Sequence, residues 1–525
     1  MCRAAFARFA MTGLLFMTGC GGQSSLAPRP TPTPPGTTAT IGLTVTDTPP
    51  TGVVVLSFQL SITGASLSPG DISLLSSTNP IPFNVSHLQA DSAFLASANV
   101  APGTYSSLGL TFANPQLTIY NSTGAAIGTC ANNTICQLTP ATTPLTVTFS
   151  SSPFPITLTT NSPLALSLDI NLNTVIQSDL TVNLAAPNGV TLSQLPFPAA
   201  GQPTSALGQL MGTVQSVGAG EITLQTSYGA SFAVYVNGST TYDIPPTALC
   251  GGVCTLACRG LGCLVAGDVV KADVSLQSDG TLLASEVDFV ESTGQQVAEG
   301  TVVAVTVWEG GTYIDLILQV APPTSTPSLL APGEHASVLV PASGVTYAVD
   351  WGNFAPPTNS NLGTFEGLFV GQEVLVVVQG SVSGSGGSIT PPLTPVGPAS
   401  VYFTTNNVLL EPTQITGQVT SIDASAVNFY ATTFPSFFIP KEDETSQATP
   451  PTLSSASIIV DATAQTTYEG FIQNNFSGLA GNELVSVEGW LLPYMGPVPL
   501  YVCNGCPITT TMAAKAVRGR PNQLF

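Results

Sequence analysis

The sequence predicts an all-β protein in which a β-sandwich precedes three small β-barrel modules. Three observations carry this prediction: apolar and polar residues alternate between residues 40 and 197, turn motifs separate the alternating runs, and a threefold repeat follows. Strands with one apolar face bury that face against a second sheet. A chain of 525 residues, 43% of them hydrophobic, is long enough for several such cores.

Period-two alternation is clearest in runs that place an apolar side chain at every second position. These include Ile41, Leu43, Val45; Leu56, Phe58, Leu60, Ile62; Leu108, Leu110, Phe112; and Leu164, Leu166, Leu168, Ile170. Motifs such as Pro187-Asn-Gly189 mark turns between the runs. Only the segment Val85–Ala96 is compatible with a short helix.

Three sequence features follow one another in this region: Thr46-Asp-Thr-Pro49, a Val-rich strand, and Val100-Ala-Pro-Gly-Thr-Tyr-Ser-Ser-Leu108. In this order they resemble domain-of-unknown-function family 4382, which recurs in bacterial lipoproteins. The Pro-Gly-x-Tyr motif also resembles the prealbumin-like sandwiches of surface proteins. The resemblance implies a prealbumin-like β-sandwich over residues 40–197, and it transfers no catalytic residue.

Three motifs recur in a fixed order beyond residue 207. They are the openings at Gly212, Gly300 and Gly417, the pairs Thr241-Tyr242, Thr346-Tyr347 and Thr467-Tyr468, and the segments Leu264–Val270, Leu368–Val374 and Leu479–Val485. The first and third copies end in Ala-x-x-Val, at residues 284–287 and 514–517. The second copy lacks this ending and carries Pro-, Gly- and Ser-rich insertions, which loops tolerate at little cost.

This repeated set resembles domain-of-unknown-function family 5666, a small β module of exported bacterial proteins. The resemblance implies three OB- or SH3-like barrels of about five strands each. We place them at residues 207–292, 296–412 and 413–520. In the first copy, Asp279-Gly280 predicts a hairpin turn.

The N-terminus has the features of a lipoprotein signal. Arg3 and Arg8 precede the apolar run Phe9–Met17, which is too short for a membrane-spanning helix of about 20 residues. Met17-Thr-Gly-Cys20 resembles a bacterial lipobox, which implies that residues 1–19 are removed and that Cys20 is the lipid anchor. An ordinary secretory signal is the alternative. We expect residues 20–39, rich in Pro and Thr, to form a stalk.

Eight further cysteines fall into three groups with even counts, apart from Cys2 and Cys20. The groups are Cys130/Cys136, Cys250/Cys254/Cys258/Cys263 and Cys503/Cys506. Even local groups in an exported chain predict disulfides. A zinc or iron–sulfur site is the alternative for the central four, although their spacing matches no common metal motif. A redox role is the alternative for the last pair, although no βαβ pattern surrounds it.

Charge and histidine content exclude several functions. Nine Lys and Arg stand against 29 Asp and Glu, for a net charge of −20, so we expect no binding to nucleic acid. The only histidines, His87 and His335, are expected at the surface, and no Gly-x-Ser-x-Gly elbow occurs. We therefore predict no catalytic residue and no cofactor.

The remaining candidate groups each have a simpler interpretation. Several acids could support glycoside hydrolysis, but turn solvation is the expected role of Asp268, Asp273, Asp288, Glu291, Glu299, Asp315, Glu366 and Glu373. Asp169, Asn171 and Asn173 resemble the start of a calcium loop, but Thr174 and Leu180 replace the Gly and Glu that such a loop needs, so we predict no metal site. Six aromatic residues could either form a platform for stacking of sugar rings or lie in the core: Trp308, Trp351, Trp490, Tyr313, Tyr347 and Tyr494.

These features predict a non-enzymatic, lipid-anchored protein of the cell outer membrane, facing the periplasm or the cell exterior. It would act as a surface scaffold, adhesion element or ligand-binding element. Its partners would be the membrane, through the anchor, and an envelope glycan or another surface protein. The alternative is a carboxylate-based hydrolase acting on polysaccharide, which an acid pair facing one cleft would favour.

Overall fold

The predicted all-β fold class is confirmed: a β-sandwich is followed by small closed barrels. The computed structural model describes residues 39–48, 54–75, 79–85, 93–160, 163–195, 207–226, 229–243, 260–277, 279–291, 296–308, 311–320, 330–351, 354, 367–384, 396–434, 457–469, 471, 473, 475–493, 501–503, 506–507 and 510–519. The predicted signal peptide, Cys20 and nearly all of the predicted stalk lie outside these residues.

The sandwich packs two sheets face to face. Its strands are β1 (Ala39–Thr48), β2 (Val54–Ser68), β3 (Ile72–Ser73), β4 (Ile81–Asn84), β5 (Ala93–Val100), β6 (Gly103–Tyr105), β7 (Ser107–Tyr120), β8 (Ile135–Leu138), β9 (Thr142–Thr143), β10 (Thr146–Phe149), β11 (Ile156–Leu158), β12 (Leu164–Asn171), β13 (Val182–Asn183) and β14 (Val190–Leu195). One sheet has the order β14-β12-β1-β5 and continues past β5 into the first strand of the module that follows. The other sheet has the order β10-β7-β2-β3, with β4 and β8 added at its edges.

The alternating residues of the sequence fill the core between these sheets. Phe58 and Leu60 of β2, Phe112 of β7, and Leu166 and Leu168 of β12 are almost completely buried. The opposite face of these strands is also covered in places, because polar residues between them, such as Ser57 and Ser167, are buried as well. The period of the pattern therefore identified the side chains that fill the core, but it did not show that the opposite face is covered too.

The helix expected within Val85–Ala96 is not observed in its described part. Residues from Ala93 onward form β5, which pairs antiparallel with β1. Pairing with β1 overrides the weak local preference, and Phe94 and Leu95 are both buried beside a register shift. The α-helix that the described residues do contain is the single turn α1 (Leu172–Val175).

The three modules follow the sandwich and share one set of strands. Module 1 contains β15 (Leu207–Gly218), β16 (Glu221–Gln225), β17 (Ser231–Tyr235), β18 (Thr241–Asp243), β19 (Val269–Leu276) and β20 (Leu282–Glu291). Module 2 contains β21 (Val297–Trp308), β22 (Gly311–Val320), β23 (His335–Pro341), β24 (Thr346–Val349), β25 (Glu373–Gly384) and β26 (Val401–Glu411). Module 3 contains β27 (Thr413–Asp423), β28 (Asn428–Phe434), β29 (Ser457–Asp461), β30 (Thr467–Glu469), β31 (Leu484–Pro493), β32 (Tyr501–Cys503), β33 (Cys506–Pro507) and β34 (Thr510–Gly519).

Each module closes into a five-stranded barrel with the same topology. In module 2 the order is β23-β22-β21-β25-β26, and β23 closes the barrel by pairing in parallel with β26. The short strand that carries the Thr-Tyr pair lies parallel to the last strand in every copy: Thr241 pairs with Glu286, Thr346 with Asn407, and Thr467 with Ala516. This register makes Thr405–Val408 the counterpart of the Ala-x-x-Val ending that copy two lacks.

The third repeated motif is a turn held by one side chain. The oxygens of Asp268, Gln372 and Glu483 each accept a hydrogen bond from the backbone N–H three residues earlier, at 2.8 Å, 2.8 Å and 2.9 Å. The preceding residue has a positive φ in every copy, which Gly267 and Gly371 supply at no steric cost and Asn482 also tolerates. The motif therefore repeats because this turn needs both an acceptor side chain and a left-handed residue.

The four units pack against one another rather than hanging separately along the chain. Phe94 of the sandwich contacts Phe232 of module 1 with ring centroids 5.4 Å apart. The Thr118 hydroxyl of the sandwich donates to the Gly333 carbonyl of module 2 at 2.7 Å. Modules 1 and 2 share a small apolar cluster that includes Val290. No helix among the described residues is long and apolar enough to cross a membrane.

Candidate functional site

Charged side chains from all three modules converge where the modules meet. We call this set the junction: Lys271, Asp273, Glu286 and Asp288 of module 1, Glu299, Glu373 and Glu411 of module 2, and Glu488, Lys515 and Arg518 of module 3. The whole chain has only nine Lys and Arg, so three of its few cations meet here. Strands place all ten residues, so their positions are determined by the barrels.

Modules 1 and 3 are joined by a ring of ion pairs. The Arg518 guanidinium lies 2.6 Å from Asp273 Oδ2 and 3.0 Å from Glu488 Oε2. The Lys515 Nζ atom lies 3.1 Å from Glu488 Oε1 and 2.9 Å from Glu286 Oε1. Asp273 and Glu286 face each other across β19 and β20, which closes the ring. Three acids and two bases therefore form one continuous network.

A second ion pair joins modules 1 and 2. The Lys271 Nζ atom lies 2.7 Å from Glu299 Oε1, and both side chains are buried. Beside this pair is a polar cavity of about 30 Å³, also lined by Glu373, Glu411 and Gln414. A cavity of this size has room for one or two water molecules. More acidic than basic side chains line this cavity, so neighbouring negative charges disfavour the ionised form of some of these acids.

The junction shifts the pKa values of its acids in opposite directions. Burial, reinforced by the nearby Glu299, raises the pKa of Glu373 to about 8. Burial also raises the pKa of Glu286 to about 7, because its pairing with Lys515 only partly offsets burial and the negative charges of Glu488 and Asp273. Burial of Glu488 acts in the same direction, but Lys515 and Arg518 outweigh it and lower its pKa to about 2.

An open cleft of about 400 Å³ lies against one side of the ion-pair ring. Its lining consists of Ser239, Thr241, Asp273, Ser285, Glu286, Trp351, Phe354, Gln465, Thr467, Lys515, Ala516 and Arg518. The volume falls in the range of about 300–1,000 Å³ that is usual for small-molecule sites. All three modules contribute to the lining, so the cleft exists only in the packed arrangement.

Equivalent segments of modules 1 and 3 both line the cleft. Thr241 and Thr467 occupy the same position in their copies, as the pairing register of the short strands shows. Module 2 supplies the aromatic side chains Trp351 and Phe354. The repeat therefore provides two similar polar segments, and the unequal second copy provides an apolar wall.

The apolar wall rests on a tryptophan from module 3. Trp490 is fully buried in the core of module 2, with its ring centroid 4.8 Å from that of Trp351 and 4.9 Å from that of Phe354. Its indole N–H donates to the Asp350 carbonyl at 3.0 Å. Trp351 remains half-buried and lines the cleft, so Trp490 positions the wall and Trp351 presents it.

Comparison with known protein families gives a match that lies in module 1. Residues 211–288 match a family described as a domain of unknown function, DUF5666. The match runs from the opening of the first repeat into β20, and it contains Lys271, Asp273 and Glu286. No curated protein and no solved structure matches the chain. The predicted resemblance to family 5666 is thus confirmed for the first copy.

The expected solvation of the acids in turns is wrong for most of those that the structure describes. Asp273, Glu299 and Asp315 are buried on strands, and Asp288 and Glu373 also lie on strands of the junction. Asp268 does lie in a turn but is buried there. The polar face of a strand can pack against another module, and the sequence of a single repeat does not reveal that contact. Glu366 and the side chain of Glu291 lie outside the part of the chain that the structure describes.

His335 is also buried, contrary to expectation. Its Nε2 lies 3.9 Å from Asp315 Oδ1, and burial lowers its pKa to about 4. The neighbouring segment covers it, since the Ser400 N–H donates to the His335 carbonyl at 2.9 Å. His87 lies outside the described residues.

The predicted aromatic residues separate into several places. Of this set, the structure brings Trp351 to the cleft and Trp490 to the core beneath it, while Tyr313 is buried and Tyr347 is half-buried at a small separate cavity. Nothing is described of the Trp308 side chain or of Tyr494. The aromatic that sequence analysis missed is Phe354.

The cysteines for which we predicted disulfides are described in part. Cys130 and Cys136 form a disulfide with Cα atoms 5.7 Å apart. In the central group, Cys263 is disulfide-bonded. The backbones of Cys503 and Cys506 pair in register on β32 and β33. Three members of the central group lie outside the described residues, so their predicted pairing stays a prediction: Cys250, Cys254 and Cys258.

The calcium-like motif does not gather into a site. Asp169 and Asn171 are half-buried on β12, and Asn173 is exposed in α1. In the part of the chain that is described, no three His, Cys, Asp or Glu residues form a metal-binding group.

Sequence analysis did not single out Glu286, Glu411, Glu488, Lys515 or Arg518. A usable signal was present, because cations are so scarce in this chain. When a low-charge protein places a Lys or Arg within a strand, burial of that strand requires an acidic partner. Each strand cation therefore predicts a carboxylate elsewhere in the chain.

Proposed function

We propose that this chain is an exported, lipid-anchored protein of the outer membrane that binds a ligand in the junction cleft. The observation that carries the proposal is the meeting of two kinds of surface in one cleft. Trp351 and Phe354 supply an apolar wall, and Thr241, Thr467 and the ion-pair ring supply hydrogen-bonding groups. Ligand sites typically combine an apolar lining with a few convergent polar groups.

Export and anchoring are supported by the sequence features around Cys20. The lipobox resemblance of residues 17–20, the stalk that follows, and the even groups of cysteines all suit an oxidising compartment. The disulfide between Cys130 and Cys136 fits the same location. In this proposal the anchor holds the sandwich near the membrane and the cleft faces the periplasm or the cell exterior.

The proposal includes family assignments beyond the matched segment. Modules 2 and 3 are further copies of the family of module 1, supported by the identical strand order and by the shared turn at Asp268, Gln372 and Glu483. The sandwich belongs with family 4382, supported by its motifs and its two-sheet architecture. The modules then act together, because the cleft needs all three.

Binding is tested on the oxidised chain from residue 21, which retains every described strand. A thermal-shift screen against glycans, peptides and small metabolites identifies a ligand, since saturation at 100 times the Kd stabilises the fold by about 2.7 kcal/mol. Trp351→Ala is expected to abolish the shift, and Tyr430→Ala, a half-buried aromatic of module 3 that does not line the cleft, serves as the control. A ligand that shifts both variants equally would place binding elsewhere.

Anchoring is tested by expressing the full chain in bacteria fed a clickable palmitate analogue. We expect the wild type to be labelled and to fractionate with the outer membrane, and Cys20→Ser to lose the label and enter the soluble fraction. Cys2→Ser is the matched control. Retention of both label and membrane association in Cys20→Ser would refute the anchor.

One observation favours hydrolysis as a second candidate function. Asp273 and Glu286 face each other across two strands on the cleft wall, and burial raises the pKa of Glu286 to about 7 while Arg518 pairs with Asp273. Glycosidases use one carboxyl group as a proton donor and a second carboxyl group close to it in the same cleft. Release of reducing ends from a bound polysaccharide, abolished in Glu286→Gln, would establish this function. Binding without release would leave the first.

A further inference from the structure

We propose that the occupant of the cleft is an uncharged sugar unit of a polysaccharide, held with one ring face against Trp351 and its hydroxyls toward the segments that contain Thr241 and Thr467. This inference rests on the proposed function and specifies its ligand class. Three properties of the cleft support it: its charge balance, its hydrogen-bonding groups and its apolar wall.

Charge balance disfavours an ionic ligand. Each cation on the cleft wall already contacts an acid: Arg518 pairs with Asp273, and Lys515 pairs with Glu286. Both cations also contact Glu488 behind them. An anionic ligand would have to separate these pairs and leave a buried carboxylate uncompensated, which is costly. A cationic ligand would have to compete with Arg518 and Lys515 for the same three carboxylates. The cleft therefore suits a ligand without net charge.

The polar groups of the cleft suit a ligand rich in hydroxyls. Thr241 and Thr467 are exposed on equivalent strands of modules 1 and 3, so two similar hydrogen-bonding segments flank the space. Ser239 and Gln465 occupy equivalent positions two residues earlier and are also exposed. The Thr241 and Thr467 hydroxyls donate to the carbonyls of Ser285 and Lys515 and keep lone pairs that can accept from a sugar hydroxyl. Two such segments in one cleft suit a ligand that presents several hydroxyls.

Glu286 adds a group that can both donate and accept near neutral pH. Burial raises its pKa to about 7, so part of the population carries the proton under physiological conditions. A protonated carboxyl donates one hydrogen bond and keeps acceptor capacity. A sugar hydroxyl therefore finds a partner in either protonation state.

The apolar wall suits the C–H face of a pyranose ring. Trp351 packs against the buried Trp490, which also contacts Phe354, so the orientation of Trp351 is set before a ligand arrives. A rigid aromatic side chain offers a large contact area at a low entropic cost. Uncharged polar ligands with one apolar face are the class that such a wall and such segments recognise together.

The inference is tested by calorimetric titration of the oxidised chain from residue 21 at pH 6.5. The probes are maltotetraose, cellotetraose and xylotetraose as neutral sugars, with tetragalacturonate as the anionic and chitosan tetramer as the cationic counterpart. We expect at least one neutral sugar to bind and neither charged counterpart to bind more tightly. We expect Trp351→Ala and Thr467→Val each to raise its Kd at least tenfold, Trp351→Phe to raise it less, and Tyr430→Ala to leave it unchanged.

The possible failures separate the ligand class from the site. Tighter binding of a charged sugar, with the same dependence on Trp351, would overturn the sugar class and keep the cleft as the binding site. If a neutral sugar binds with the same Kd in the wild type, in Trp351→Ala and in Thr467→Val, the cleft is not the binding site. If none of the sugars binds, this inference alone is overturned. If no compound in the wider thermal-shift screen stabilises the protein, the proposed function is overturned as well. Because Thr467→Val is nearly isosteric and exposed, its result does not depend on a folding defect.

Discussion

Arg518 lies 2.6 Å from Asp273, although 245 positions separate them in the chain. The contact ties the last strand of module 3 to the face of module 1 that borders the cleft. Because Arg518 also holds Glu488, one guanidinium compensates two buried carboxylates. The stability of the junction therefore depends strongly on this side chain.

We predict that Arg518→Met lowers the free energy of unfolding by about 3–5 kcal/mol, since it removes the cation that pairs with Asp273 and leaves Glu488 with Lys515 alone. Urea denaturation followed by circular dichroism measures the loss. A double-mutant cycle with Asp273→Asn isolates the pair, and we expect the double variant to be less destabilised than the sum of the single variants. Additive losses would show that the contact contributes no coupling.

The raised pKa of Glu373 predicts that the free energy of unfolding falls as pH rises. Burial raises its pKa to about 8 in the folded state, whereas the unfolded group titrates near 4.5, so the folded state binds more protons between these values. The free energy of unfolding should decline by up to about 1.4 kcal/mol per pH unit in this window. Glu373→Gln should make the decline between pH 5 and 8 less steep, while Glu286, with its pKa raised to about 7, still contributes to it. An unchanged slope in that variant would exclude Glu373 as its origin.

Trp490 should be the side chain on which the contact between modules 2 and 3 depends most. Trp490→Ala removes a fully buried indole and leaves a cavity beneath Trp351, so we expect a loss of about 3–5 kcal/mol in unfolding free energy. Trp490→Phe retains most of the contact and should lose clearly less. Denaturant titration of the two variants makes the comparison, and equal losses would argue for the indole hydrogen bond to Asp350 as the main term.

Gly300 should not tolerate a side chain. A Cβ atom there would lie 2.5 Å from the Ile317 carbonyl oxygen on the paired strand. We expect Gly300→Ala to destabilise the protein by about 1–3 kcal/mol, through strand displacement. Gly238→Ala, in an exposed turn with open space around the glycine, is the control and should be neutral. Thermal unfolding of both variants tests the difference, and a neutral Gly300→Ala would mean that the strands can separate freely.

Local pattern was enough to predict the all-β class, the sandwich core and the threefold repeat. The alternation in β2, β7 and β12 depends only on the pleat of a strand, which neighbours along the chain determine. The repeated turn at Asp268, Gln372 and Glu483 is likewise local, because its hydrogen bond spans three residues. Features with short sequence range can be inferred without coordinates.

Tertiary structure alone decided the junction, the cleft and the burial of His335. Lys271, Glu299 and Arg518 look like solvated charges in sequence, because the outer face of a barrel strand is usually exposed. Their burial follows from the packing of one barrel on another, and that packing depends on the shape of whole surfaces. Charged groups far apart in sequence then share one low-dielectric site, where their pairing determines both stability and the chemistry open to a ligand.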